Sequence, residues 1–245
     1  MGLVYKGRTW LPRQRLRLLI LTLILFMVFW IHQSTLPTGT SPQTSLDEAI
    51  EEWDQQALER FGPRGLHLGP GRKRRQMTSV VFVDFACSKS RQNYIRNRQQ
   101  IGSMPHLQVT FKMFPLDRSC NPYADERKDG LSCELALLAI CADLRGVRHS
   151  KILETLFADP PTTAPDLYVQ SLADQLGIRP AQFLQCKMNP KLHLVLTEMV
   201  QEGRRHQRLP AVYVQDRFFL AGERPTATVR LYRELAKIRG ENSEP

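Results

Sequence analysis

The stretch Ser79-Val80-Val81-Phe82-Val83-Asp84-Phe85 constrains this chain more than any other. Its near-continuous run of Val and Phe reads as a strand buried on both faces, which belongs in a sheet covered on both sides. A helical pattern follows at once, from Ser88 to Gln100, with Gly102 beyond its end. Gln108 to Phe114 alternates and stops at Pro115, so it predicts a second strand. Residues 132–203 read as helix in pieces: Ser132 to Leu144, Ser150 to Phe157, Asp166 to Leu176, Pro180 to Lys187 and Pro190 to Glu202. Gly146, Gly177 and Gly203 stand in stop positions. After Pro210 come two short strands, Ala211–Val214 and Phe218–Leu220, and a closing helix near Thr226–Ile238. Strand, helix, strand, helices, hairpin, helix is an α/β order with one helical insertion.

The N-terminus bears on the compartment. Leu18 to Ile31 is an apolar run broken only by Thr22, directly after Arg13, Arg15 and Arg17. A basic flank followed by an apolar run is the pattern of a secretory signal or of an N-terminal membrane anchor. No small-x-small cleavage site follows, and Trp30 suits a membrane interface, which favours an uncleaved transmembrane anchor over residues 18–31. Positive-inside logic keeps the basic tail, residues 1–17, in the cytoplasm and exports the rest, where disulfides are permitted. Residues 32–77 form an expected linker, with one amphipathic helix over 46–61 that packs on the domain or mediates self-association. The compact domain is expected over 78–240, with its insertion at 131–203.

Charge points away from nucleic acid. The formal net charge is +10, yet Lys6, Arg8, Arg13, Arg15 and Arg17 account for five of it, and Arg72-Lys73-Arg74-Arg75 forms one further run. That run reads as solvated linker, with anionic lipid as a second contact. The six histidines show no metal-ligand spacing with Cys or carboxylates. Gly-x-Ser-x-Gly, phosphate-loop and dinucleotide motifs are absent from the sequence, so no metal or cofactor is expected.

Cys87 is the residue that carries chemistry. It stands where the buried strand gives way to a helix, and helix N-terminal amides stabilise a thiolate at such a position. Lys89, Arg91, Arg96 and Arg98 add positive charge nearby, while a close Asp84 would act in the opposite sense. Simple packing at a strand end is the competing reading. Five cysteines leave at least one without an internal partner, and the other four, Cys120, Cys133, Cys141 and Cys186, allow three pairings.

From Val80 to Ile238 the chain resembles the DsbA-like thioredoxin-fold proteins, especially exported forms and the domain fused to some bacterial vitamin K epoxide reductases. Val81-Phe82-Val83-Asp84-Phe85-Ala86-Cys87 resembles their strand leading into Cys-x-x-Cys. Phe114-Pro115-Leu116-Asp117 with Cys120-Asn121-Pro122, then Cys133-Glu134-Leu135-Ala136 through Cys141-Ala142, and Phe183-Leu184-Gln185-Cys186, resemble later elements in the same order. Leu209-Pro210-Ala211-Val212-Tyr213-Val214 resembles the cis-proline strand. The resemblance implies a thioredoxin-like fold with a helical insertion, Cys87 and the Ser90 position as the active site, and Leu209-Pro210 as a peptide-binding edge. It also implies pairing of Cys120 with Cys133 and of Cys141 with Cys186. Ser90 stands where the family has its second active-site cysteine, so the resolving half of dithiol chemistry is missing. Two functions follow. One is a monothiol oxidoreductase or isomerase of the inner membrane, single-pass, with a periplasmic domain acting on thiols or disulfides of exported proteins. The other is a redox-inactive binding or chaperone module that uses the proline groove. Arg204, Arg205 and Arg208 could attract an acidic partner near that face.

Overall fold

The computed structural model describes residues 44–69, 77–125, 129–158, 164–206, 208–221 and 225–238. The chain divides into two units, Met1–Ser45 and Leu46–Pro245, and the sheet belongs to the second. The expected anchor at 18–31 and the run Arg72–Arg75 lie outside the described residues. Among those described, no helix is long and apolar enough to cross a membrane.

Five strands form one mixed sheet: β1 (Leu66–Leu68), β2 (Met77–Val83), β3 (Leu107–Met113), β4 (Ala211–Val214) and β5 (Arg217–Ala221), in spatial order β1-β3-β2-β4-β5. β2 lies at the centre, parallel to β3 with Val81 opposite Phe111, and antiparallel to β4 with Phe82 opposite Ala211. Burial on both sides explains its unbroken apolar sequence. α2 (Ser88–Gly102) and α8 (Pro225–Ile238) pack against each other. The Tyr232 hydroxyl of α8 donates to Ser79 Oγ on β2 at 2.6 Å, and Tyr94 of α2 meets Phe111 of β3 edge-on at 5.8 Å. Between β3 and β4 run α3 (Leu131–Leu144), α4 (His149–Leu156), α5 (Pro165–Gln175), α6 (Pro180–Lys187) and α7 (Pro190–Gly203), each within a residue of the boundaries its Pro and Gly punctuation predicts.

The helix expected over 46–61 is shorter: α1 covers Thr44–Gln55. Beyond it, Leu58 bridges to Arg217 on the β5 edge and the Glu59 N–H donates to the Asp216 carbonyl. Phe61 then packs edge-on against Phe82 and Tyr213. Apolar residues at helical spacing therefore serve an extended segment here, because edge pairing and the aromatic cluster reward it more than another helical turn. The expected linker also contains a strand, β1, antiparallel to β3. Gly65 and Gly69 flank it at φ +141° and +103°, and a Cβ on either would lie under 3 Å from a β3 carbonyl oxygen.

Lys112, on β3, is fully buried. Its Nζ donates to the carbonyls of Gly62 at 2.9 Å and Arg64 at 2.8 Å, and lies 2.6 Å from Glu202 Oε2 on α7. Glu202 Oε1 in turn accepts the Gly62 N–H. A buried ammonium without such partners would be excluded from the interior. Desolvation pushes the Lys112 pKa down, and the Glu202 hydrogen bond and charge oppose that shift.

Candidate functional site

β2 ends at Val83, and the chain turns through Asp84-Phe85-Ala86 into Cys87, the N-cap of α2. The turn closes with the Cys87 N–H on the Asp84 carbonyl at 3.1 Å, and the Cys87 carbonyl accepts the Arg91 N–H at 3.0 Å. Cys87 keeps an extended backbone (φ −79°, ψ 120°), is partly exposed and carries a free thiol. Ser90, one helical turn on, is fully buried, and its Oγ accepts the Asp84 N–H at 3.3 Å. The site thus has a half-exposed free cysteine at its surface and a sealed hydroxyl behind it.

Asp84 holds this turn in place. Buried itself, it accepts the Ala86 N–H at 2.8 Å through Oδ1, and through Oδ2 the Leu116 N–H at 2.9 Å and the Ser132 hydroxyl at 2.8 Å. One carboxylate therefore joins the end of β2, the chain leaving β3 and the start of α3. Asp117 continues the frame, accepting the N–H groups of Ser119 and of Gly130. Asn121 Nδ2 donates to the Pro115 carbonyl at 2.7 Å. None of Asp117, Asn121 or Ser132 stands out as a site residue in the sequence. Their signal is a polar side chain within two residues of Pro or Gly, with Asp117 and Asn121 falling inside stretches that carry the family resemblance.

The Leu209-Pro210 peptide bond is cis, and both residues are buried at the start of β4. Since Phe82 pairs with Ala211, Pro210 lies beside the end of β2 from which the Cys87 turn departs. The sheet register brings Cys87, Ser90 and Leu209-Pro210 to one end of the sheet. His206, just upstream, is buried with Nε2 2.8 Å from the Tyr213 hydroxyl and its ring stacked on Phe218. Arg204 and Arg208 are exposed, and Arg205 pairs with Glu59 at 3.3 Å.

The other four cysteines are in disulfides. Cys120–Cys133 joins the loop after β3 to α3, and Cys141–Cys186 joins α3 to α6. At the opposite end of β2 a cavity of about 940 Å³ opens between Thr78, Gln108, Thr110 and the start of α4. There His149 Nδ1 accepts the His67 N–H and Nε2 lies 2.7 Å from Asp143, so the ring is held from both sides. Among the described residues no group of three His, Cys, Asp or Glu is placed to hold a metal ion.

No protein-family profile matches the chain, and no curated protein matches it in sequence. Solved structures do. A thioredoxin-like oxidoreductase from Silicibacter pomeroyi superposes with a TM-score of 0.57 at 15% identity, covering 73% of this chain and 94% of the other. The thiol-disulfide exchange protein alpha-DsbA2 from Wolbachia pipientis gives 0.54 at 14% identity, covering 82% and 100%. Oxidised BdbD from Bacillus subtilis gives 0.54 at 14% identity, covering 75% and 98%. At such identities the likeness is one of architecture. The chain has a mixed α/β thioredoxin-like fold, the architecture these neighbours share.

Proposed function

We infer that this chain is a membrane-anchored thioredoxin-fold protein whose Cys87 exchanges with disulfides or thiols of exported proteins. The observation that carries the reading is the state of its sulfur: four cysteines are tied in disulfides, and the fifth is free and partly exposed at the α2 N-terminus. The Cys87 thiolate attacks one sulfur of a partner disulfide. A bond from Cys87 to that sulfur forms, the partner S–S bond breaks, and the second partner sulfur leaves as a thiolate that takes a proton from water. A dithiol enzyme would then resolve the mixed disulfide with its own second thiol. Ser90 has no sulfur to offer and is sealed behind the turn. A partner thiol, or a small thiol, attacks instead and frees Cys87. The two steps reshuffle disulfides without net oxidation, which suits isomerisation or removal of a mixed-disulfide cap. The strand edge beginning at Pro210 offers backbone for an extended segment of the partner. Residues 18–31 would hold the protein in the inner membrane as a single pass, with the domain periplasmic.

The alternative is a redox-inactive binding or chaperone module, and the serine at position 90 is what favours it. Incubating the full chain with a disulfide-linked dipeptide separates the two. The exchange reading expects a peptide adduct on Cys87, absent from Cys87→Ser and released by added thiol. A chain that forms no adduct, and whose Cys87→Ser variant keeps partner binding and cellular function, is a binding module.

A further inference from the structure

The charges of the molecule are sorted by layer. α2 carries Lys89, Arg91, Arg96 and Arg98 and not one acidic residue. α8, packed beside it, carries Arg230, Arg233 and Lys237, and its one acid, Glu234, is occupied by Lys237 at 2.7 Å. The helices of the insertion, α3 to α7, run the other way, with seven acidic and three basic residues. Lys89, Arg96, Arg98, Arg230 and Arg233 are all exposed, and Arg233 reaches Gln100, so the two helices form one basic face. On α2 the exposed cations fall on two flanks, Lys89 with Arg96 on one and Arg98 on the other, by the 100° step of the helix, while Arg91 below Arg98 has its Nε and Nη2 buried. Between the flanks lie Ser88, Gln92 and Gln99 with Ile95, an apolar side chain 44% exposed. Cations on both flanks of a neutral strip with an exposed apolar residue suit a helix lying on a lipid headgroup layer.

We propose that the α2/α8 face docks on the anionic surface of a phospholipid bilayer. The proposal builds on the anchoring reading. Twelve residues, 32–43, separate the apolar run from α1. At about 3.5 Å per residue they span at most about 40 Å, so a leaflet is always within reach. A neutral strip with an exposed Ile favours lipid over an acidic polypeptide, for which the gap between the cations would be wasted. Each Lys or Arg near an anionic surface raises its occupancy by about fivefold, an effect that salt removes. Docked this way, α2 lies along the membrane and Cys87, at its first turn, acts on chains close to the bilayer.

The test places a photo-crosslinking residue at Ile95 in the full chain, reconstituted in nanodiscs, with a second probe at Leu194 on α7, itself 62% exposed. The proposal expects lipid adducts at Ile95 in discs containing phosphatidylglycerol. It expects them to fall by at least about tenfold in pure phosphatidylcholine, in high salt, or in Arg96→Glu/Arg98→Glu/Arg233→Glu. It expects only background at Leu194. Equal adducts at both probes, adducts that persist in phosphatidylcholine, or adducts at Ile95 to protein overturn it, the last in favour of an acidic partner. A chain that does not co-purify with phosphatidylcholine discs overturns the anchoring reading alone. The surface then stands or falls on whether the same chain, added to phosphatidylglycerol vesicles, gives the lipid adduct at Ile95.

Discussion

The helical insertion and the turn between β2 and α2 are held by different means. In the insertion, covalent ties reinforce a packed apolar core: Cys141–Cys186 ties α3 to α6 across 45 residues, and Cys120–Cys133 ties α3 to the preceding loop. In the turn, hydrogen bonds do the holding, centred on Asp84 and reaching Ala86, Leu116 and Ser132. The difference teaches where sulfur chemistry can occur without cost to the fold. A cysteine whose bond is a structural tie cannot exchange without loosening a helix pair. Cys87 bears no such duty, because the backbone around it is fixed by a neighbouring carboxylate and the thiol is free to gain and lose a partner.

The largest effect that would break this contrast is to give the turn a second sulfur. Ser90→Cys places a thiol one helical turn from Cys87, and the expected outcome is an internal disulfide. The peptide adduct then ceases to accumulate, which intact-mass analysis after incubation with the disulfide peptide reads directly. Next in size are the structural ties. Replacing Cys141 and Cys186 together by Ala should lower unfolding free energy by about 4 kcal/mol, and replacing Cys120 and Cys133 by about 3, following the two loop lengths. Denaturant midpoints check the order. Both double variants should still form the Cys87 adduct below their transitions.

Asp84→Asn tests the hydrogen-bonded frame itself. The amide cannot accept on both sides, so a buried N–H or the Ser132 hydroxyl loses its acceptor, at a cost of about 2 kcal/mol. Unlike the disulfide variants, this one should also change the rate of adduct formation, because it loosens the turn that presents the thiol. The smallest effect belongs to His206. Burial lowers its pKa, with Glu59 opposing and Arg205 adding to the shift. The unfolded chain, near 6.5, therefore takes up the proton first. The stability due to neutral His206 is present above about pH 6.5 and is lost as pH falls through the lower folded value. Denaturant midpoints should fall as pH is lowered from 7 to 5, and His206→Gln should flatten that fall.

How far the sequence carries follows from the range of the interactions involved. Signals within seven to fourteen residues mark these elements: an unbroken apolar run for β2, alternation for β3, and apolar stretches bounded by Pro and Gly for the five insertion helices. They do not mark β1, three residues between two glycines, whose existence depends on β3 more than forty residues away. Nor do they end α1 at Gln55, since the competitor is an edge pairing with Arg217 far along the chain. At the site, Cys87 is legible from its place between strand and helix. The Asp84 frame is not, because Leu116 and Ser132 lie 32 and 48 residues away. Lys112 looks like an outward-facing residue of an alternating strand, and only Glu202 and two carbonyls arriving from other segments make its burial tolerable.

The most direct test exposes the folded, oxidised full chain to glutathione disulfide and maps every adduct by mass spectrometry. The expected result is a single glutathione, on Cys87, with both disulfides intact and the protein still folded. Adducts on Cys120, Cys133, Cys141 or Cys186, or a Cys87 that stays unmodified while free glutathione disulfide is in excess, would contradict it.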